Sequence, residues 1–304
     1  MDKVRSEISI EEVNLARDYW LTSCLYSLFR TAGRDAIIYS GQGKTRKESA
    51  VVAFAGGTSL VSAWDITRRY SEDLDLMALM FYPQASQSSR TKALSIVTKY
   101  VATGVTNPED STVIHMGDVG HRITYFGLGN NPKFLKMETS VEDCAPTLYD
   151  TSEIISIMGR FASAEQLKSY PELGGFELPT ITPEYTAANK FDALHRRAET
   201  NNLRGIIGRG RDLYDLAMIA LSDRAYKVRE AIPELAEQAS RTTGNRITVP
   251  RPRQGYSASI LFRTGSESQE ALRHGYAAAT RLVWEAPPPF EEALELAASL
   301  DFPY

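Results

Sequence analysis

The stretch Gly56–Leu76, GGTSLVSAWDITRRYSEDLDL, constrains this chain more than any other. It begins at the end of VVAFAG (51–56), a β-branched and aromatic run that reads as a buried strand. Its two glycines and two hydroxyl residues read as a turn that opens a helix through Leu60, Val61 and Trp64. It closes on Asp73 and Asp75 inside a second apolar run, Leu74, Leu76, Leu79 and Phe81. Strand, turn, helix and strand follow in that order. Residues i and i+2 of a strand share a face, so the two acids converge on one side of it.

Two carboxylates on one face repel each other unless a cation lies between them. Magnesium takes oxygen ligands and bridges substrate phosphates with only a few protein carboxylates. Paired metals stabilise both the attacking and the leaving oxygen of phosphoryl-type chemistry. Gly56 and Gly57 let a phosphate approach the backbone, where the N–H groups of a helix start favour anions. Thr58 and Ser59 either cap the helix or donate hydroxyls to a phosphate. No Gly-Lys-Ser/Thr follows, so the turn is not a Walker A loop. A phosphate grip and metal ligands on consecutive elements describe a nucleoside triphosphate site. Glu138, in FLKMETS, alternates with apolar neighbours and is the third candidate, as metal ligand or general base; Asp118 is a weaker one. Taken singly, each group has a plainer reading: an ordinary capped turn, solvated acids at a strand edge, an exposed strand glutamate.

The remaining pattern predicts an α+β chain. Apolar residues recur at helical spacing over 10–32, and the Gly-, Lys- and Arg-rich segment 35–49 reads as an exposed loop. A helix is expected at 92–101 and strands at 121–128 and 133–140. Beyond Pro183 the pattern turns helical, at 185–199, 211–221, 224–239, 267–285 and 290–300. The expected layout is an α/β domain over 1–180 and a mainly helical domain over 181–304. The net charge of −4 conceals an asymmetry, because residues 186–253 carry 13 Lys and Arg against 8 Asp and Glu. That segment is either a surface for a polyanion or a set of solvated helix faces. Cys24 and Cys144 read as small buried hydrophobes, and the four scattered histidines lack zinc-site spacing. No apolar run approaches the roughly 20 residues that span a bilayer. The acid-bearing N-terminus has no secretory pattern, so a cytoplasmic protein without membrane attachment is expected.

The ordered blocks resemble the AbiEii/AbiGii family of nucleotidyltransferase toxins, MenT-type toxins included, within the DNA polymerase β-like superfamily. The resemblance rests on Gly56-Gly57-Thr58-Ser59-Leu60, on Arg69-Tyr70-Ser71-Glu72-Asp73-Leu74-Asp75-Leu76, on Lys190 to Arg197 (KFDALHRR), and on Arg211-Asp212-Leu213-Tyr214-Asp215-Leu216. It implies a polymerase-β-like α/β domain with a mixed sheet, whose site the helical domain completes. Asp73 and Asp75 would hold Mg2+ or Mn2+, Lys190 would contact nucleotide phosphates, and Asp212 would complete the catalytic set. Arg69 and Arg211 would pair with these acids or with phosphate. Ser71 would lie near the phosphates, where in related systems an antitoxin kinase modifies the corresponding serine.

The resemblance further implies transfer of a nucleoside monophosphate from an NTP to an acceptor, with release of pyrophosphate. The expected acceptor is the 3′ end of tRNA, so that translation is blocked. The chain would then be the toxin of a phage-defence toxin–antitoxin pair, encoded with a repressor or kinase antitoxin. Two alternatives stay open: the same chemistry on a protein or small molecule such as an aminoglycoside, and a nucleotide-binding module without turnover.

Overall fold

The computed structural model describes residues 11–31, 37–40, 47–81, 86–104, 121–128, 131–242 and 249–301. The chain divides into two compact units, one of residues up to Trp64 together with Ser71–Ile181, the other of Asp65–Tyr70 together with residues from Thr182 onward. The chain is α+β.

The first unit is a seven-stranded mixed sheet. Its elements are α1 (Glu12–Thr31), β1 (Ile37–Ser40), β2 (Lys47–Ala55), α2 (Gly56–Ser62), β3 (Asp73–Met80), α3 (Gln87–Ala102), β4 (His121–Leu128), β5 (Asn131–Asp143), β6 (Tyr149–Ile154), α4 (Ile157–Phe161), α5 (Ala164–Ser169) and β7 (Phe176–Ile181). The strands run in the order β4-β5-β3-β2-β7-β6, and β1 pairs with β2. The pairs β3–β5 and β2–β7 are parallel; β2–β3, β4–β5, β6–β7 and β1–β2 are antiparallel.

One face of this sheet carries the core. Leu74 and Leu76 of β3 and Leu135 and Met137 of β5 join a buried cluster with Leu25 of α1 and Val97 of α3. Each such side chain contributes roughly 1.5–3 kcal/mol by leaving water. Strand alternation then obliges the intervening residues of β3 and β5 to face the other way. The core side of the sheet therefore positions the polar side.

The segment 35–49, expected as a loop, contains β1 and the start of β2, antiparallel with Ile37 opposite Ala50. The β-forming run Ile37-Ile38-Tyr39 outweighs its polar surroundings. β6 and β7 were not anticipated either. β7 contains Pro179 and joins the sheet through a parallel bridge between Phe54 and Thr180, a contact remote in sequence. Both cysteines are free thiols; Cys24 is buried and Cys144 half-buried.

The second unit comprises residues 65–70 and the helices α6 (Pro183–Glu199), α7 (Leu203–Ile207), α8 (Gly210–Leu221), α9 (Ala225–Thr242), α10 (Glu267–Ala279) and α11 (Phe290–Ser299). Thr182 caps α6 by accepting from the Tyr185 N–H, and Pro183 occupies the first turn, where its missing donor costs nothing. A Cβ on Gly210 would lie 2.1 Å from the carbonyl carbon of Gly275, so α8 and α10 touch backbone to backbone. Within this unit Tyr70 N–H donates to the Leu282 carbonyl, and Arg69 forms a bridge with Val283. Among the described residues no helix is long and apolar enough to cross a membrane.

Candidate active site

In the sheet unit the expected acids come together. Parallel pairing sets Asp73 opposite Lys136 and Asp75 opposite Glu138, so the four side chains form a two-by-two block on the polar face. Ala55, the last residue of β2, lies opposite Asp75 on the other side. The chain then turns at Gly56, whose φ is +72°. A Cβ there would stand 1.8 Å from Asp75 Oδ2, so only glycine both accepts the left-handed backbone and leaves room for the carboxylate. The double glycine and the Asp-x-Asp pair are thus one packing unit.

The hydroxyls of the turn point inward. Thr58 Oγ1 donates to the Asp73 carbonyl at 2.8 Å, and Ser59 Oγ donates to the Gly56 carbonyl at 2.8 Å. Gly57, Thr58 and Ser59 are buried. Neither hydroxyl caps the helix. The N-cap position is Ala55, without a side-chain cap, and both hydroxyls fasten the turn to β3 and to itself.

Lys136 occupies the middle of the acidic block. Its ammonium is in direct contact with Glu138 Oε1 and stands 3.7 Å from Asp73 Oδ2. The three side chains are 21–30% exposed. Desolvation alone would lower the Lys136 pKa, but the carboxylates of Glu138, Asp73 and Asp75 outweigh it and hold the pKa above its ordinary value. Among the described residues no three acids, imidazoles or thiols stand grouped to hold a metal ion. The donor chemistry nevertheless fits a hard divalent cation: three carboxylates share one face, at positions fixed by two paired strands.

In the helical unit Lys190, Asp212 and Arg69 form a second cluster, internal to that unit. Lys190 of α6 donates to Asp212 Oδ1 at 2.7 Å and stands 2.7 Å from Asp215 Oδ2. Arg69 grips Asp215 with both Nε and Nη2, each at 2.7 Å. Arg209 donates to Asp212 Oδ2 at 3.1 Å. Asp212 and Asp215, three residues apart on α8, share a helix face. Burial would raise both acids; for Asp212 the charges of Lys190 and Arg209, and for Asp215 those of Arg69 and Lys190, reverse this and hold the pKa well below the usual range. Among the described residues Arg69 thus pairs with Asp215, not with Asp73, Asp75 or Asp212.

Ser71 is half-buried two residues before Asp73, and Arg211 is half-buried in the first turn of α8. Asp118 lies outside the described residues. Lys190, Arg196, Arg209, Arg224 and Arg251, five of the thirteen basic residues of 186–253, form ion pairs within their own unit. Two residues escaped the sequence reading. Asp215 was quoted within its block but given no role, although its spacing from Asp212 was the signal. Lys136 sits two residues before Glu138 in the same alternation, and only strand register reveals its partnership with Asp73.

One unit thus holds a strand–glycine turn–helix leading to paired acids, and the other holds a Lys–Asp network. The family model "Nucleotidyl transferase AbiEii toxin, Type IV TA system" matches residues 45–296. The chain belongs to this family of nucleotidyltransferase toxins and is an enzyme of that class. Among solved structures it is similar to MenT4, a nucleotidyltransferase toxin of Mycobacterium tuberculosis H37Rv, at 19% identity and a TM-score of 0.44, over 93% of this chain and 86% of that one. At that score the likeness adds nothing to the family assignment. No curated protein matches the chain.

Proposed function

We propose that this nucleotidyltransferase moves a nucleoside monophosphate from an NTP to the 3′ end of a tRNA in the cytoplasm. Translation would be blocked in this way, as the toxic half of a phage-defence toxin–antitoxin pair. The observation that carries the chemistry is the block of Asp73, Asp75 and Glu138 on one sheet face, with Asp75 seated on the side-chain-free Gly56.

The acceptor hydroxyl attacks the α-phosphorus. A new acceptor-oxygen–phosphorus bond forms, the bond to the oxygen bridging the α- and β-phosphates breaks, pyrophosphate leaves, and the hydroxyl proton passes to a base or to solvent. Mg2+ or Mn2+ held by Asp73 and Asp75, with Glu138 as third ligand, would supply positive charge for the phosphate oxygens. If Glu138 stays clear of the cation, it is the base for the hydroxyl proton. Gly56 and Gly57 open backbone beside Asp75 for a phosphate, with Thr58 and Ser59 keeping the turn in place. Ser71 lies next to this block in sequence. Lys190 reaches a phosphate by exchanging one of its two carboxylates for it, and Asp212 and Asp215 hold it poised. Arg69 anchors Asp215, and Arg211 offers a further charge on α8.

The test is incubation of purified protein with total tRNA, Mg2+ and each labelled NTP in turn, comparing wild type with Asp75→Ala on denaturing gels. Label on tRNA 3′ ends from one NTP, absent in the variant, is the expected result. NTP turnover without labelled RNA moves the acceptor to a protein or a small molecule.

A further inference from the structure

The polar face of the sheet contains a cation of its own. Lys136 projects from β5 between the residues that the proposed function assigns to a divalent ion, touching Glu138 and standing 3.7 Å from Asp73. Its place is set by register, since it is directly opposite Asp73 and two residues before Glu138. The carboxylates it bridges lie on different strands, so one ammonium ties β3 to β5 at the end of the sheet where the acids cluster. A divalent ion shared by Asp73 and Glu138 needs the oxygens that this ammonium now holds.

We propose that Lys136 is a resident counter-cation that divalent metal must displace, and that it swings out of the carboxylate block when the ion arrives. This rests on the proposed metal-dependent reading of the same site. Two consequences follow from the chemistry. The block is not left as three facing acids before metal binds, and metal uptake in the absence of nucleotide is weakened because the ion competes with a covalently tethered charge. A displaced ammonium stays on the same face, where an incoming polyphosphate is the anion that would receive it. Lys136 is partly exposed at 29%, so it has room to move.

The experiment is a Mn2+ titration without nucleotide, with free ion counted by electron paramagnetic resonance, on wild type, Lys136→Met and Asp75→Asn. Lys136→Met is expected to bind Mn2+ about three- to tenfold tighter than wild type, the range expected when one or two partly screened ion pairs no longer compete. A second readout uses the wild-type chain alone. Acetylation of Lys136 by an N-hydroxysuccinimide ester, quantified by peptide mass spectrometry, should rise severalfold on saturation with Mn2+ and not with Na+ at equal ionic strength. Unchanged or weaker Mn2+ binding by Lys136→Met, or labelling that does not rise, overturns displacement and makes Lys136 a permanent member of the site. Equal Mn2+ uptake by wild type and Asp75→Asn overturns the metal reading itself, and this inference with it.

Discussion

Asp75 and Asp215 are both aspartates on regular elements, and the fold treats them in opposite ways. Asp215 is 0% exposed, accepts a bidentate pair from Arg69 and is matched again by Lys190. Asp75 is half-buried on a face where Asp73 and Glu138 are its neighbours and one lysine is the nearby cation. A charge inside the protein is tolerated when opposite charges and hydrogen bonds replace its water. Around Asp215 that condition is met, by Arg69 and Lys190 together, so these ions are part of the structure. The sheet face meets it partly, with like charges crowded together, and that surplus is what the proposed divalent ion would offset.

The largest way to break this comparison is to remove one acid from each cluster. Asp75→Ala should cut nucleotidyl transfer by about 10³-fold or more, several kcal/mol of transition-state stabilisation, while leaving the denaturation midpoint within about 1 kcal/mol of wild type. Asp215→Ala should act first on stability. It leaves Arg69 buried without its partner and should destabilise by about 3–5 kcal/mol in urea unfolding. The double variant Arg69→Met/Asp215→Leu should recover part of that loss. A chain in which Asp215→Ala melts like wild type would show that its ion network carries no stability.

The sheet cluster was readable because its signals are local. A β-branched run, a double glycine and acids two apart each act over a few residues, and strand alternation converts the spacing into a shared face. β1 was missed because a short strand lay among Gly, Lys and Arg, whose local preference is for turns. β7 was missed because its place depends on Phe54, far earlier in the chain. The same reason hid Lys136, since no window of sequence contains both strands whose register pairs it with Asp73. The residues of the helical cluster were visible as a motif, but their order of pairing was not. That Asp215 rather than Asp212 takes Arg69 is decided by packing.

Acidity offers a way to sharpen the contrast. Asp18 of α1 is buried, and desolvation pushes its pKa from 3.8 up to about 7, against the opposing pull of the Met158 and Ile157 N–H groups and Arg160. The folded state therefore favours its neutral form. Its contribution is complete below the unfolded pKa near 3.8 and is lost as pH rises to about 7. Asp212 and Asp215 have lowered values and contribute above the unfolded pKa, losing that contribution as pH falls below it. Asp18→Asn should flatten the decline between pH 4 and 7, worth roughly 2–4 kcal/mol, and leave the acid limb unchanged. Urea titrations at several pH values read both limbs; a decline that persists in Asp18→Asn assigns it to another group.

The smallest effect tests what the glycine turn is for. Thr58→Val keeps the side-chain shape and removes one hydroxyl, whose partner is the Asp73 carbonyl at 2.8 Å. The lost hydrogen bond should cost about 1 kcal/mol of stability. Because that bond fastens α2 to the strand end bearing the acids, kcat should fall by less than about tenfold, with KM for the NTP unchanged. A hydroxyl that instead turned outward to hold a phosphate in the loaded enzyme would raise KM on removal and leave stability near wild type. The two readings differ in which parameter moves. A KM shift with intact stability would return Thr58 to the phosphate-binding set and leave the turn held by Ser59 and by the close contact of Gly56 with Asp75.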